Sequence, residues 1–190
     1  ILLRSGWPAI AGAGGHFVDP LCGSGTLPIE AALIAADIAP GLTRERFGFE
    51  RWRQHNAALW DKLRGEAVSR GALDRLSAGR ICGYDRDPIV LRDAEANAAR
   101  AGLGERLAFH RCELAALPKA SAPYGLIAAN PPYGERLGET EGLRELYALL
   151  GARLREGYLG WEAAIFTGNP PLGRELGINA RRTHRMMNGP

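Results

Sequence analysis

The chain has no apolar run approaching the roughly 20 residues that a membrane-spanning helix needs, and no stretch resembles a secretory signal. Only three cysteines occur, Cys22, Cys82 and Cys112, far apart in sequence, with no CxxC pair and no histidine at ligand spacing. Each lies at or beside a predicted strand, so buried free thiols in a reducing, cytoplasmic compartment are expected, with neither disulfides nor a metal. Low-complexity linkers and internal repeats are also missing, which excludes solenoids and arrays. No GKS or GKT follows a glycine loop, so a P-loop is excluded. The one candidate loop reads Gly23-Ser24-Gly25-Thr26-Leu27-Pro28, with Pro28 where a dinucleotide fingerprint has its third glycine.

What is present fits one domain. At 190 residues, 46% hydrophobic and 24% charged, the chain is large enough to bury a core. A net charge of +3 permits a nucleic-acid partner without demonstrating one. The sequence begins at Ile1 in a helical pattern, without methionine, and is expected to be a piece of a longer polypeptide.

Short apolar runs alternate with helical patterns, the sign of an α/β domain with a mostly parallel, doubly wound sheet and helices on both faces. Strands are predicted at 16–19, 80–85, 106–112, 124–129 and 162–167, with a sixth over 177–188 near the end of the sheet. An Ala-rich helix follows from about Thr26 to Ile38, with Ser24 or Thr26 as its cap. Asp87-Pro88 opens another helix that Gly102 closes, and a further helix spans 142–156. Residues 40–78 break this rhythm as a helical insertion, helical from about Gln54 to Arg70 and rich in arginine and tryptophan.

In such a sheet, ligands sit beyond the carboxyl ends of the strands. Three features fall there. Gly23 and Gly25 follow the first strand and permit close backbone approach to a ligand. Asp85 ends the second strand, placed either to hold both hydroxyls of a ribose or to cap the turn before Asp87. Glu113 follows the third strand, at an adenine edge or in solvent. A glycine loop without phosphate chemistry, followed by a ribose-binding acid, favours S-adenosylmethionine. The fourth strand runs into Asn130-Pro131-Pro132-Tyr133. The prolines stiffen the loop and leave carbonyls free, Asn offers an acceptor, and Tyr offers a stacking face. These parts suit a planar group with an exocyclic amine, or equally a Pro-rich turn.

Together DPLCGSGT, GYDRDP with Asn97-Ala98-Ala99-Arg100-Ala101-Gly102 behind it, and NPPYGERL resemble the Rossmann-like class I methyltransferases of the NPPY amino-methylating group. With Glu30-Ala31-Ala32, Ala36 to Gly41 and the Trp-containing insertion, the chain resembles more narrowly the THUMP-associated 23S ribosomal RNA guanine-N2-methyltransferases. The resemblance implies that Asn130, Pro131, Pro132 and Tyr133 are catalytic. It implies a cofactor set of Asp19, Pro20, Cys22, Gly23, Gly25, Thr26, Asp85, Arg86, Glu113 and Asn130. Glu113 departs from the family, where Asp is commoner. The implied partners are 23S ribosomal RNA and an RNA-binding THUMP module in the full-length chain. The tetrapeptide also serves DNA adenine-N6 and protein glutamine-N5 methyltransferases, and a catalytically silent RNA-binding module shares the fold.

The expected reaction needs no metal and no histidine base. The Asn130 amide oxygen and the Pro131 carbonyl accept the two hydrogens of the amine, and Tyr133 stacks on the base. Glu135 is expected to hold loop structure. Basic residues interleaved with Trp52 and Trp60 can bind RNA, although both tryptophans are expected to turn to the core. The tail residues Arg181, Arg182, His184 and Arg185 are the better candidates for RNA contact.

Overall fold

Residues Gly125–Ala129 are buried at every position, as a strand covered on both faces must be. In the computed structural model, which describes residues 1–134 and 140–186, they form β4. Its companions are β1 (His16–Asp19), β2 (Ile81–Asp85), β3 (Ala108–Arg111) and β5 (Glu162–Ile165). All pairs are parallel, in the order β3-β2-β1-β4-β5. Strand order therefore reverses at β1, which pairs β2 on one side and β4 on the other.

Period-2 alternation divides the strand side chains between two cores. Phe17, Ile81, Leu126 and Ala128 face one layer, built from Trp7, the alanines Ala31 and Ala32, and Ala98. These come from α1 (Trp7–Gly12), α2 (Thr26–Ala35) and α4 (Pro88–Arg100). The small side chains let α2 approach the sheet, and Trp7 closes the layer, its indole donating to Ala31 O at 2.8 Å. Val18 and Ile127 face the other layer with Leu150, Leu154 and Tyr158, on or just beyond α5 (Thr140–Gly157).

The insertion is helical, as expected, with α3 (Ala57–Arg70) capped by the Asn56 side chain. Both its ends are tied to the end of α2, where Ala72 N–H donates to Ala36 O at 2.9 Å. Its tryptophans part company. Trp60 is half-buried against Phe47 and Phe49, with ring centroids at 5.1 and 4.9 Å. Trp52, expected in the core, is 69% exposed. The aromatic space beside Trp60 is already filled, and Trp52 follows the 3-10 turn Gly48–Arg51 in extended backbone.

Residues 177–186, expected to belong to a sixth strand, form none; 187 and 188 lie outside the described residues. The reason is the lack of a ladder partner, since a strand needs a continuous row of backbone bonds. The segment is exposed and attaches through side chains, with Arg181 paired to Glu162 at the start of β5. A short helix, α6 (Pro170–Glu175), stands before it.

Candidate active site

The β1/β4 junction opens into a cleft of about 530 Å³, lined by Asp19, Cys22, Gly23 and Thr26 from one side and Asn130 from the other. That volume suits a small organic ligand. Its location is the switch point of the sheet, where two adjacent parallel strands send their connections to opposite faces and leave a crevice.

The glycine loop is built by backbone and carboxylates. Leu21 N–H donates to Asp19 Oδ1 at 3.0 Å, Cys22 N–H to Tyr84 O at 2.9 Å, and Gly25 N–H to Cys22 O at 2.9 Å. Gly23 and Gly25 sit at φ +51° and +82°, conformations that favour glycine. Their surroundings differ. A Cβ on Gly25 would lie 3.0 Å from Ala94 and from the Phe109 ring, whereas one on Gly23 would meet only open space. Gly25 is thus required for packing, and Gly23 keeps the cleft floor bare. Gly25→Ala should cost roughly 2–3 kcal/mol of stability in urea unfolding; a loss no larger than that of Gly23→Ala would refute this packing role. Gly25 is also the N-cap of α2, without a side-chain bond. The expected Ser24 or Thr26 cap is absent, and the first amides of α2 have no side-chain acceptor there.

Asp85 braces this loop. Its Oδ2 accepts from Gly23 N–H at 3.0 Å and its Oδ1 from Asp87 N–H at 3.0 Å. Asp87, not Asp85, caps α4, accepting from Ile89 N–H at 2.8 Å. Asn97 adds a second brace from α4, donating through Nδ2 to Ser24 O at 2.9 Å. Its NAARAG context was visible in the sequence, but nothing in spacing marked it as a loop anchor. Arg86 and Glu113 are exposed at the ends of β2 and β3. They, Asp85, Pro20 and Gly25 do not line the cleft.

On the opposite wall, Ala129 O accepts from Phe166 N–H at 2.9 Å, so β4 and β5 stay paired up to Asn130. Pro131 is buried and Tyr133 half-buried. The Tyr133 ring rests flush on Gly168, where a Cβ would lie 2.8 Å from it. That seat is pinned from beneath: the buried Tyr147 hydroxyl bonds Thr167 Oγ1 at 2.9 Å, and Asn169 N–H donates to the same oxygen at 3.1 Å. Tyr133, Pro131 and Pro132 do not line the cleft itself. Glu135 lies outside the described residues.

Ile1, Leu21, Ser24, Leu27, Phe166 and Met186 complete the lining. Phe166 was within reach of sequence reasoning, since it sits at the carboxyl end of the strand next to β4. Ile1 and Met186 carried no signal.

Asp19 is 2% exposed. Burial, reinforced by the Asp85 charge and opposed by the Leu21 hydrogen bond, pushes its carboxyl up to about 7. Burial, with the Asp19 and Asp85 charges, pushes the Cys22 thiol up as well. Cys22 therefore stands in the cleft as a neutral wall, not a nucleophile. It is buried as expected, whereas Cys82 and Cys112 are only partly so, and all three are free. Among the described residues no cluster of three or more His, Cys, Asp or Glu side chains is set to hold a metal.

Comparison with known proteins gives this geometry its family. The "UPF0020: RMKL-like, methyltransferase domain" model matches residues 2–190. A "Ribosomal RNA large subunit methyltransferase K/L" of Syntrophotalea carbinolica is 53% identical over all of this chain and 27% of its own length. A protein of the same name from Allochromatium vinosum is 51% identical over all of this chain and 26% of its own length. The chain thus spans about a quarter of these curated relatives. Among solved structures, SMU.472, "a putative methyltransferase complexed with SAH", superposes with TM-score 0.82 at 31% identity, over 99% of this chain and 53% of that one. A "predicted N6-adenine-specific DNA methylase" from Listeria monocytogenes gives TM-score 0.78 at 34% identity, over 92% of this chain and 47% of that one. With a Rossmann-like sheet, a glycine loop and an Asn-Pro-Pro-Tyr wall meeting at its switch point, the chain belongs to the RMKL-like methyltransferase-domain family UPF0020.

Proposed function

We propose that the chain binds S-adenosylmethionine and directs its methyl group to the exocyclic N2 amine of a guanine in 23S ribosomal RNA. The observation that carries this is the shared cleft: the glycine loop from β1 and Asn130 from β4 line one cavity. The bound cofactor supplies an electrophilic methyl on a sulfonium.

The chain's own residues do the rest. Gly23, bare of a side chain and facing open space, is the cradle for the cofactor. The first amides of α2 offer donors to its carboxylate. The Asp19 carboxylate faces its cationic portion, and Asp85, with Glu113 and Arg86 beside it, borders the ribose and adenine end. An exocyclic guanine amine is a poor nucleophile because its lone pair is delocalised into the ring. The Asn130 amide oxygen and the Pro131 carbonyl accept the two amine hydrogens and so localise that lone pair toward the methyl. Tyr133, seated on Gly168, stacks on the base. Unstacking the base from structured RNA costs a few kcal/mol, which contacts outside the cleft offset, including an RNA-binding THUMP module in the full-length protein. Ribosomal RNA as substrate places the activity in the cytoplasm.

The relatives' names support RNA over the DNA adenine target for which the Listeria protein is named. The test supplies the chain with labelled cofactor and deproteinised large-subunit RNA, adenine-containing DNA, or a glutamine peptide. Label recovered as N2-methylguanosine is expected. Label recovered only as N6-methyladenine or methylglutamine would overturn the guanine assignment.

Asp19 makes the site pH-dependent. Its folded pKa of about 7 lies above the unfolded 3.8, so the native state holds the proton more tightly. The neutral form's advantage is fully present below pH 3.8 and lost as pH rises through about 7. By that linkage, on the order of 4 kcal/mol of stability is lost in the window. Asp19→Asn should therefore be more stable than the parent at pH 8 and no more stable below pH 4. Binding works in the opposite sense. Pairing with a cationic ligand requires the carboxylate, so affinity for S-adenosylhomocysteine, through its ammonium, should fall as pH drops below about 7, with proton release on binding at pH 6. Calorimetry in buffers of different ionisation enthalpy measures that release. A pH-independent affinity from 5.5 to 8 would contradict it.

A further inference from the structure

Far from the cleft, the insertion holds the only tryptophan among the described residues that stands largely in solvent. Trp52 is 69% exposed, while Trp7 is buried and Trp60 and Trp161 are half-buried. Its exposure is not looseness. The loop that carries it is stiffened by stacked Phe47 and Phe49, by Trp60 edge-on to both, and by His55 against Phe49. A small aromatic core thus forms directly beside Trp52 and leaves it out.

The flanks are cationic. Residues 40–70 contain seven basic and four acidic side chains, a net +3 equal to that of the whole chain. Of the acids, Glu50, next to Arg51, turns inward and accepts from Phe47 N–H at 3.0 Å. Lys62 pairs with Glu66 and Arg70 with Asp37. Arg51 and Arg53, on either side of Trp52, are exposed and make no ion pair among the described residues. Arg44 lies 5.4 Å above the Phe47 ring. An exposed indole flanked in sequence by two guanidiniums without ion pairs among the described residues offers a face to stack an unpaired base and charges to neutralise its neighbouring phosphates.

We infer that the Arg51-Trp52-Arg53 face is a second RNA contact, binding a single-stranded segment of the substrate by stacking on Trp52 and by phosphate pairing. The inference rests on the proposed RNA substrate. The insertion joins the domain at the far end of α2, a helix about 15 Å long whose other end borders the cleft. The contact is therefore separate from the pocket for the target base, and serves a substrate much larger than one nucleotide.

The test uses the 190-residue chain and an unstructured, fluorescein-labelled RNA of about 12 nucleotides of mixed adenine and uracil. Anisotropy gives affinity and its salt slope; tryptophan emission reports stacking. The RNA should quench emission, and Trp52→Phe should remove most of the quench. Trp52→Ala should weaken binding about ten-fold. Arg51→Ala with Arg53→Ala should lower the logarithmic salt slope by about 1.4. All these side chains are exposed, so melting temperatures should not move. Wild-type affinity and slope in these variants, or no RNA binding by the parent chain, would overturn the inference; the former would assign the face to a protein partner or to solvent. S-adenosylhomocysteine affinity, measured on the same samples, should be unchanged by the substitutions. Its absence in the parent chain would defeat the proposed methyl transfer while leaving the RNA contact standing.

Discussion

Asn130→Ala should lower methyl transfer by roughly a thousand-fold while leaving S-adenosylhomocysteine affinity within about two-fold of the parent. Asn130 stands beyond β4 on the wall opposite the glycine loop. The bonds that shape that loop come from Asp19, Asp85 and Asn97. Truncating Asn130 therefore removes the proposed acceptor for the amine hydrogens without disturbing the glycine loop. The expected effect is large because in the proposed reaction the amide acts on the reacting nitrogen, where both orientation and lone-pair localisation contribute. Rates from single-turnover assays and affinity from calorimetry separate the two quantities. Near-normal turnover would remove Asn130 from catalysis, and a parallel loss of affinity would make it a cofactor residue instead.

Asp85→Ala should act through the other wall. Its two carboxylate oxygens hold Gly23 and Asp87 by backbone N–H groups at 3.0 Å each. A hydrogen bond to a charged group is worth about 1.5–3 kcal/mol. Asp85 is only partly buried, so water partly replaces the two bonds; losing both should lower stability by roughly 2–4 kcal/mol and cofactor affinity by about a hundred-fold. Asp85→Asn separates bracing from ligand contact. It keeps an acceptor for Gly23 N–H but removes the charge and one acceptor, so stability should largely recover while affinity stays well below that of the parent. Full recovery of both would confine Asp85 to the loop. Unchanged affinity in Asp85→Ala would exclude any ribose role.

Much of this architecture was legible in the residues. β4 is apolar at every position, and β1 and β2 carry short apolar cores at Phe17-Val18 and Ile81-Cys82; these have only one place to go in a domain of this size, and Asp19, Asp85 and Asn130 stand at or just past the strand ends. The structure brings Asp19, Gly23, Cys22, Thr26 and Asn130 to one cavity and leaves Arg86, Glu113 and Tyr133 out of its lining. What escaped depended on neighbours. Residues 177–186 have strand-like spacing but no ladder beside them. Trp52 and Trp60 look alike in sequence, yet Phe47 and Phe49 take in one and exclude the other. Gly25 replaces a side-chain cap because Phe109 and Ala94 crowd that corner. Asn97 reaches Ser24 across 73 positions, a contact that no local pattern encodes. Asp85 is similar: the sequence offers a turn residue or a cofactor residue as alternatives, and the structure shows one carboxylate that holds both the turn at Asp87 and the glycine loop at Gly23.

Under the proposed function, the cleft between β1 and β4 methylates a guanine amine of large-subunit ribosomal RNA. Mapping modified nucleotides in that RNA from cells lacking the protein tests it most directly. Loss of a single N2-methylguanine, restored by the parent protein and not by its Asn130→Ala variant, is the predicted result. An unchanged N2-methylguanine map would contradict the claim.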